Sequence, residues 1–207
     1  MDVQNVAVSE MSVAPGWQRR RQILFDEYER VAITLFAERG YRSVTVEEIA
    51  ETAGVSGRTL FRYFPTKEDF LLGFHRRMLE STLEAVAALA PSSTPLQTVW
   101  AVLRAQFDET GVGLDPMNLW RTAAAEAPDV VARVRGERQE GLLDAVSEYC
   151  AASLAVDPSR DARPRLYAGM IAGADMAIIE LWGRSELTRV ELARAADELF
   201  EALSATL

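Results

Sequence analysis

Cysteine, histidine and lysine are almost missing from this chain, which has one of each among its 207 residues. With Cys150 as the only cysteine and His75 as the only histidine, the chain can form neither an internal disulfide nor a zinc site of Cys and His ligands. This cysteine usage is typical of proteins in the reducing cytosol.

Long apolar runs are missing as well. The richest stretch, residues 168–182, is interrupted by Asp175 and Glu180 and falls short of the about 18 residues that a membrane span needs. Residues 1–16 mix acids with polar groups where a secretory signal would carry an apolar core, and the arginines at 19–21 follow this stretch. We therefore expect a cytoplasmic protein without a membrane segment and a disordered lead over residues 1–16.

Signatures of catalysis are also missing. The sequence contains no P-loop, no GxGxxG motif and no pair of carboxylates in a catalytic pattern. His75 has no nucleophile pattern beside it, and Cys150 has no second cysteine or histidine near it. The sequence predicts a protein that is not an enzyme and that needs no cofactor or metal.

The net charge of −9 argues at first against nucleic acid as a partner, but the charge is unevenly distributed. Residues 1–79 hold 11 basic and 11 acidic groups, whereas residues 80–207 hold 11 basic and 20 acidic groups. A protein that reads specific DNA needs a local positive surface and not a high overall pI. The charge pattern therefore permits DNA binding by the first part of the chain.

Apolar residues recur at helical spacing along most of the chain, and we find no strand-like alternation of useful length. Gly40 lies where a left-handed C-terminal cap belongs, and Thr45–Glu48 and Thr94–Gln97 each have the pattern of a capping box. The sequence predicts an all-α protein with helices over about 17–39, 45–52, 56–63, 66–90, 95–110, 116–125, 129–155, 159–183 and 188–205.

Residues 45–67, TVEEIAETAGVSGRTLFRYFPTK, form two short helical patterns that meet at a turn around Gly54. Ala50 permits close crossing of the two helices, and Gly54 tolerates the backbone angle of the turn. In a helix-turn-helix, the start of the second helix reaches the base edges in the major groove. An ordinary helical hairpin has the same local pattern, and for an isolated segment it is the commoner explanation.

The wider stretch from Arg21 to Leu71 resembles the N-terminal domain of TetR-family regulators. The elements LFAERGY, TVEEIA, AGVS, TLFRYF and KEDF follow one another in the order and spacing of that family. The resemblance implies a three-helix DNA-binding domain over residues 17–65 and a helical effector-binding and dimerisation domain over 66–207. It also implies a repressor that binds a double-stranded, near-palindromic operator as a homodimer and is released by a small molecule.

Carried over by position, this resemblance assigns two kinds of DNA contact. Arg58, Thr59 and Arg62 would face the bases of the major groove, and Gly57, after Ser56 at the start of the helix, would allow close backbone approach. The resemblance places three side chains at phosphates, namely Thr45, Tyr63 and Lys67.

Four further points concern the same region. Phe61 and Phe64 are expected in the core, not stacked on bases. Arg58 can also reach a phosphate from so short a helix. The arginines at 19–21 are either a DNA-flanking contact or a solvated basic run, and Glu47 either avoids phosphate or restricts the choice of sequence.

Large or polar side chains of the second part are candidates for an effector pocket. Asp175 has two other possible roles, a bond to a neighbouring helix or a place in a dimer interface. A weak likeness of the stretch from Trp120 to an acyl-CoA-responsive subgroup leaves acyl-CoA-like and aromatic or drug-like effectors open. The candidates are Trp100, Leu103, Phe107, Met117, Asn118, Trp120, Arg121, Tyr149, Met170 and Asp175.

Dimerisation through the last two helices has both a local basis and an alternative. Gly169 and Gly173 belong to a surface of small residues that lets another helix approach closely. The apolar residues of the last helix can pack on this surface within one chain, and the resemblance favours a four-helix interface between two chains. A helical interaction adaptor would explain this part of the chain but not residues 45–67.

Overall fold

The computed structural model describes residues 16–106, 114–184 and 187–204. Within these ranges the protein is all-α, as predicted, and no described residue lies in a β-strand. Residues 1–15 of the predicted disordered lead lie outside the described residues, and Gly16 begins the first helix. The helices are α1 (Gly16–Arg39), α2 (Val46–Thr52), α3 (Gly57–Tyr63), α4 (Asp69–Ala87), α5 (Pro95–Ala105), α6 (Leu114–Ala123), a 3₁₀ turn (Ala124–Glu126), α7 (Pro128–Leu154), α8 (Arg163–Arg184) and α9 (Arg189–Ser204).

Local end signals determine where the first helices begin and stop. Gly40 ends α1 with φ of +88°, a left-handed angle that glycine adopts at little cost. Thr45 and Glu48 form the predicted capping box: the Thr45 hydroxyl accepts the Glu48 N–H at 3.2 Å, and the Glu48 carboxylate accepts the Thr45 N–H at 2.7 Å. Both predicted caps are confirmed.

Helix α5 begins at Pro95 as predicted, but one predicted cap and one predicted helix start are wrong. Thr94 precedes α5 but its side chain caps no backbone N–H, so the capping box predicted with Gln97 does not form. The Thr94 N–H donates instead to the Ser92 hydroxyl at 3.1 Å. Helix α4 begins at Asp69 and not at Thr66, because the Thr66 N–H and hydroxyl donate to the Asp69 carboxylate at 2.8 and 2.7 Å in a turn that precedes the helix.

The first hydrophobic core joins α1–α3 to the beginning of α4, and it extends beyond them. Phe36, Ile49 and Leu60 are buried in it together with Phe64 and Phe70. Residues of α6, the 3₁₀ turn and the first turns of α7 complete this core. Hydrophobic packing therefore crosses the predicted domain boundary at residue 65. The contributors after residue 100 are Trp120, Ala123, Ala124, Ala127, Val130 and Val134.

The second hydrophobic core lies between the end of α4 and helices α5, α7, α8 and α9. Trp100 of α5 stacks on Phe200 of α9 with 5.1 Å between the ring centroids, and Val86 of α4 is fully buried. Helices α4 and α7 both run through the two cores, since Val134 belongs to the first and Val146 to the second.

Among the described residues, α8 is the one helix that by length and composition alone could cross a membrane. In this fold it is a core helix, because Ile171, Asp175 and Ile178 are buried against neighbouring helices. Arg138 of α7 donates to the Asp175 carboxylate with Nε at 2.7 Å and Nη2 at 2.8 Å. Asp175 thus bonds a neighbouring helix, one of the roles considered for it from the sequence.

We predict that loss of this buried ion pair destabilises the protein far more than loss of an exposed pair between the same helices. Asp175→Asn leaves the Arg138 guanidinium buried without a carboxylate, which typically costs about 3–5 kcal/mol. Asp144→Asn is the matched control, because Asp144 of α7 pairs with Arg165 of α8 at 2.7 Å on the surface. An exposed pair contributes about 1 kcal/mol or less. Urea unfolding at one protein concentration measures both variants, and equal losses would contradict the prediction.

Candidate nucleic-acid interface and ligand cavity

Helices α2 and α3 cross as a helix-turn-helix. Ile49, Ala50 and Leu60 are buried where the two helices meet. Gly54 turns the chain with φ of +68°, and the Val55 N–H donates to the Ala50 carbonyl at 2.9 Å. The turn thereby fixes the direction in which α3 leaves α2.

The beginning of α3 presents short and donor-bearing side chains. The Ser56 hydroxyl accepts the Thr59 N–H at 3.2 Å and so caps the helix. Arg58 and Arg62 are exposed, and neither makes an ion pair with any residue in the described ranges. Gly57 has open space where a Cβ would lie. The predicted base-reading residues therefore share one accessible helix of seven residues.

The three residues assigned to phosphates have different surroundings. Thr45 is exposed at the N-terminus of α2, and Tyr63 is half-buried with the Arg62 guanidinium 5.3 Å from its ring centroid. The Lys67 ammonium lies 4.5 Å from the ring centroid of Tyr41. Partial burial lowers the pKa of Lys67, and the carboxylates of Glu126 and Glu48 act in the opposite direction.

Phe61 corrects an expectation drawn from the sequence. Phe64 is fully buried, as expected, and stacks on Phe70 with 4.1 Å between the ring centroids. Phe61 is not a core residue, because 45% of its surface is exposed. It lies on α3 between Arg58 and Arg62. A helix of seven residues is too short for its apolar periodicity to show that Phe61 points outward whereas Phe64 points inward.

Two adjoining cavities lie between α4, α6, α7 and α8. The open cleft has a volume of about 450 Å³, and a more enclosed cavity beside it has about 50 Å³. The cleft is within the size range of small-molecule pockets. The two cavities share five of their lining residues: His75, Val134, Arg135, Ile179 and Trp182.

The structure brings three of the candidate ligand residues to these cavities. Met117 lines the enclosed cavity, while Trp120 and Arg121 line the open cleft. Asn118 lies next to them, and its side-chain oxygen accepts the Trp182 indole N–H at 3.3 Å. Asp175 does not line the enclosed cavity, but it accepts a hydrogen bond from Arg138, which does.

The other candidates lie elsewhere or outside the described residues. Trp100 and Leu103 are buried in the second core. Tyr149 also belongs to that core and donates its hydroxyl to the Ala90 carbonyl at 3.3 Å. Met170 is half-buried on α8, and Phe107 lies outside the described residues.

Several cavity residues were missed by sequence reasoning, above all His75 and Arg135. His75 packs edge-on against Trp120 with 3.9 Å between ring centroids, and its Nε2 atom is buried without a hydrogen-bond partner among the described residues. Burial and the Arg138 charge lower the pKa of His75 to about 3, so the imidazole is neutral at pH 7. As the only histidine, His75 could have been singled out from the sequence. Most of the residues that surround it come from α6, α7 and α8, which lie far from α4 in the chain.

The end of α6 and the 3₁₀ turn after it, residues 120–126, connect the open cleft to the helix-turn-helix. Trp120 donates its indole N–H to the Leu71 carbonyl of α4 at 2.7 Å. Glu126, at the end of the 3₁₀ turn, accepts the Arg42 backbone N–H at 3.0 Å in the loop between α1 and α2. A displacement of this segment would therefore act on both α4 and the α1–α2 loop.

Helix α8 leaves an apolar stripe uncovered. Leu166 is 58% exposed and Leu181 is 39% exposed, and an added Cβ at Gly169 or Gly173 would meet no atom within 4 Å. The described part of the last helix therefore does not reach these two positions, and its Leu192 is buried within the second core.

Comparison with known proteins places this geometry in a family. Residues 30–73 match the family model described as bacterial regulatory proteins, tetR family. The HTH-type transcriptional regulator TcmR of Streptomyces glaucescens is 30% identical over 174 residues, which cover 80% of this chain and 75% of that protein.

Solved structures share the fold at lower identity. A TetR-family transcriptional regulator from Mesorhizobium loti superposes with a TM-score of 0.55 at 23% identity, covering 90% of this chain and 98% of that one. A transcriptional regulator from Saccharomonospora viridis in complex with choline superposes with a TM-score of 0.50 at 18% identity, covering 87% and 96%. The helix-turn-helix, the likeness to TcmR over most of both chains and the shared fold lead to one conclusion: the chain belongs to the TetR family and is a DNA-binding, helix-turn-helix transcriptional regulator, not an enzyme.

Proposed function

We propose that this regulator is a cytoplasmic, homodimeric repressor that leaves a near-palindromic operator when a small apolar molecule fills the cavities beside His75. In this proposal residues 17–65 read the DNA, and residues 66–207 bind the effector and form the dimer. The observation that carries the proposal is the segment 120–126, which lines the cleft and bonds both α4 and the α1–α2 loop.

The mechanism requires that the effector bind one arrangement of the two DNA-reading ends better than the other. A dimer reads two half-sites about one helical turn apart, so a changed spacing of the two α3 helices misses consecutive major grooves. The regulator from Saccharomonospora viridis was crystallised with choline, so a protein of this fold accepts a small molecule. The direct test is a gel shift on DNA flanking the protein's own gene, at several salt concentrations and with candidate effectors.

We predict that Arg58 and Lys67 contribute differently to operator binding. Arg58→Ala should change the selected sequence at one position per half-site, since a lost base contact costs about 1–3 kcal/mol. Lys67→Ala should weaken all sequences alike and lower the salt slope by roughly one. Selection from a randomised duplex library at two salt concentrations measures both, with Arg165→Ala on the exposed surface of α8 as the control. An unchanged motif for Arg58→Ala would remove Arg58 from base reading.

We predict that a large side chain at Gly173 weakens the dimer. A Cβ at position 173 would have no atom of the described residues within 4 Å, and leucine favours a helix over glycine by about 0.8 kcal/mol, so Gly173→Leu should stabilise the isolated chain. Sedimentation should nevertheless show at least about tenfold weaker association, with operator binding weakened in parallel.

The matched control is Gly136→Leu, because Gly136 of α7 is exposed and also has open space at its Cβ position. It should leave association unchanged. A wild-type protein that stays monomeric at micromolar concentration would rule out the dimer, and equal effects of the two variants would remove the α8 stripe from the interface.

We predict that Trp120 couples effector binding to DNA release. Trp120→Phe keeps an aromatic wall beside His75 but removes the N–H that donates to Leu71 of α4. An effector should still bind, while its effect on operator affinity, typically 5–150-fold or about 1–3 kcal/mol, should shrink. Trp100→Phe is the control, because the Trp100 indole N–H lies in the second core and no residue in the described ranges accepts it. Equal coupling in both variants would contradict this role.

A further inference from the structure

The enclosed cavity contains polar groups for which the described residues provide no partner. His75 Nε2 and Gln106 Nε2 are buried without a hydrogen bond, and both residues line this cavity of about 50 Å³. Buried polar atoms are nearly always hydrogen-bonded, so each unsatisfied one requires an explanation. A ligand atom in the cavity supplies it.

The positive charge of Arg135 indicates that the ligand carries a negative charge. Arg135 is half-buried on α7 and lines both cavities, and it forms no ion pair with any described residue. Arg138 beside it is already neutralised by the Asp175 carboxylate at 2.7 Å. No aspartate or glutamate in the ranges that the structure describes lines either cavity. The local field therefore favours an anion and disfavours a cationic ligand.

The remaining walls indicate the body of the ligand. The enclosed cavity is closed by Met78, Met117 and Ile178, and the open cleft of about 450 Å³ continues from it along Trp120 and Trp182. An apolar body fits the cleft, and a single small polar head fits the enclosed cavity.

We propose that the effector is an apolar carboxylic acid, bound as its carboxylate in the enclosed cavity by Arg135, Gln106 and His75. This inference rests on the proposed function, because it specifies the ligand of the same site. A guanidinium donates two parallel hydrogen bonds to a carboxylate. The Gln106 amide N–H donates to a carboxylate oxygen, as does His75 in the tautomer with hydrogen on Nε2. One carboxylate thus satisfies both unpartnered nitrogens.

The test compares three ligands of similar shape by calorimetric titration of the full chain: 2-naphthoate, the neutral 2-naphthamide and a naphthyl trimethylammonium ion. We expect naphthoate to bind at least about tenfold more tightly than the amide, the usual scale of a hydrogen bond to a charged group, and the cation to bind least. Because His75 is the only histidine, its imidazole resonances give a local readout, and naphthoate should shift them.

Arg135→Gln should remove the preference for naphthoate and leave binding of the amide unchanged. Arg133→Gln is the matched control: it removes the same charge from the same helix, but Arg133 lies outside both cavities and pairs with Glu137 at 3.0 Å. The proposal is overturned by equal binding of acid and amide, by equal losses in the two variants, by preference for the cation, or by no binding of naphthoate at millimolar concentration.

Operator affinity is measured separately with and without naphthoate. Arg135-dependent binding of the acid without any change in operator affinity would leave the ligand class standing and overturn effector-controlled release. Release by the cation or the neutral amide alone would support the proposed function and overturn the ligand class.

Discussion

Helix α4 is packed in two hydrophobic cores at once, and the proposed communication between the two ends of the molecule depends on this constraint. Its first turns are buried with Phe36 and Phe64, and its end is buried at Val86. Helix α7 runs through the same two cores, so the cavities beside His75 lie between two helices that both reach the core of the helix-turn-helix. Closely packed interiors deform little. A ligand that separates α4 from α7 must therefore move whole helices, which is the kind of bistable shift that transmits a signal.

Two arginines of α7, Arg135 and Arg138, have different surroundings. Arg138 and Asp175 neutralise each other inside the protein, where an uncompensated charge would be costly, and they hold α7 to α8. Arg135, only three residues away and nearly one helical turn earlier, is directed at the cavities and has no such partner in the described residues. Two arginines that look alike in the sequence thus differ because a carboxylate of α8 lies opposite only one of them.

Much of the secondary structure, and the exposure of residues assigned to DNA contacts, could be predicted from the sequence, because the signals are local. The cap at Thr45, the left-handed Gly40 and the exposed Arg58 follow from residues within about four positions of one another. Thr94 shows where such reasoning fails. Its pattern is that of a capping box, but the neighbouring Ser92 hydroxyl accepts the Thr94 N–H, and the box does not form.

The sequence by itself determined the all-α class, the order and approximate bounds of the helices and, through a run of motifs, the family. Helix periodicity, end caps and turn residues act over a few residues, so they can be recognised without knowing the fold. Only the tertiary structure decided which side chains form the cavity, why Trp100 and Tyr149 lie outside it, and why Phe61 points to solvent. These outcomes depend on how helices far apart in the chain cross one another, and the side-chain contacts made at such crossings leave no periodic trace in the sequence.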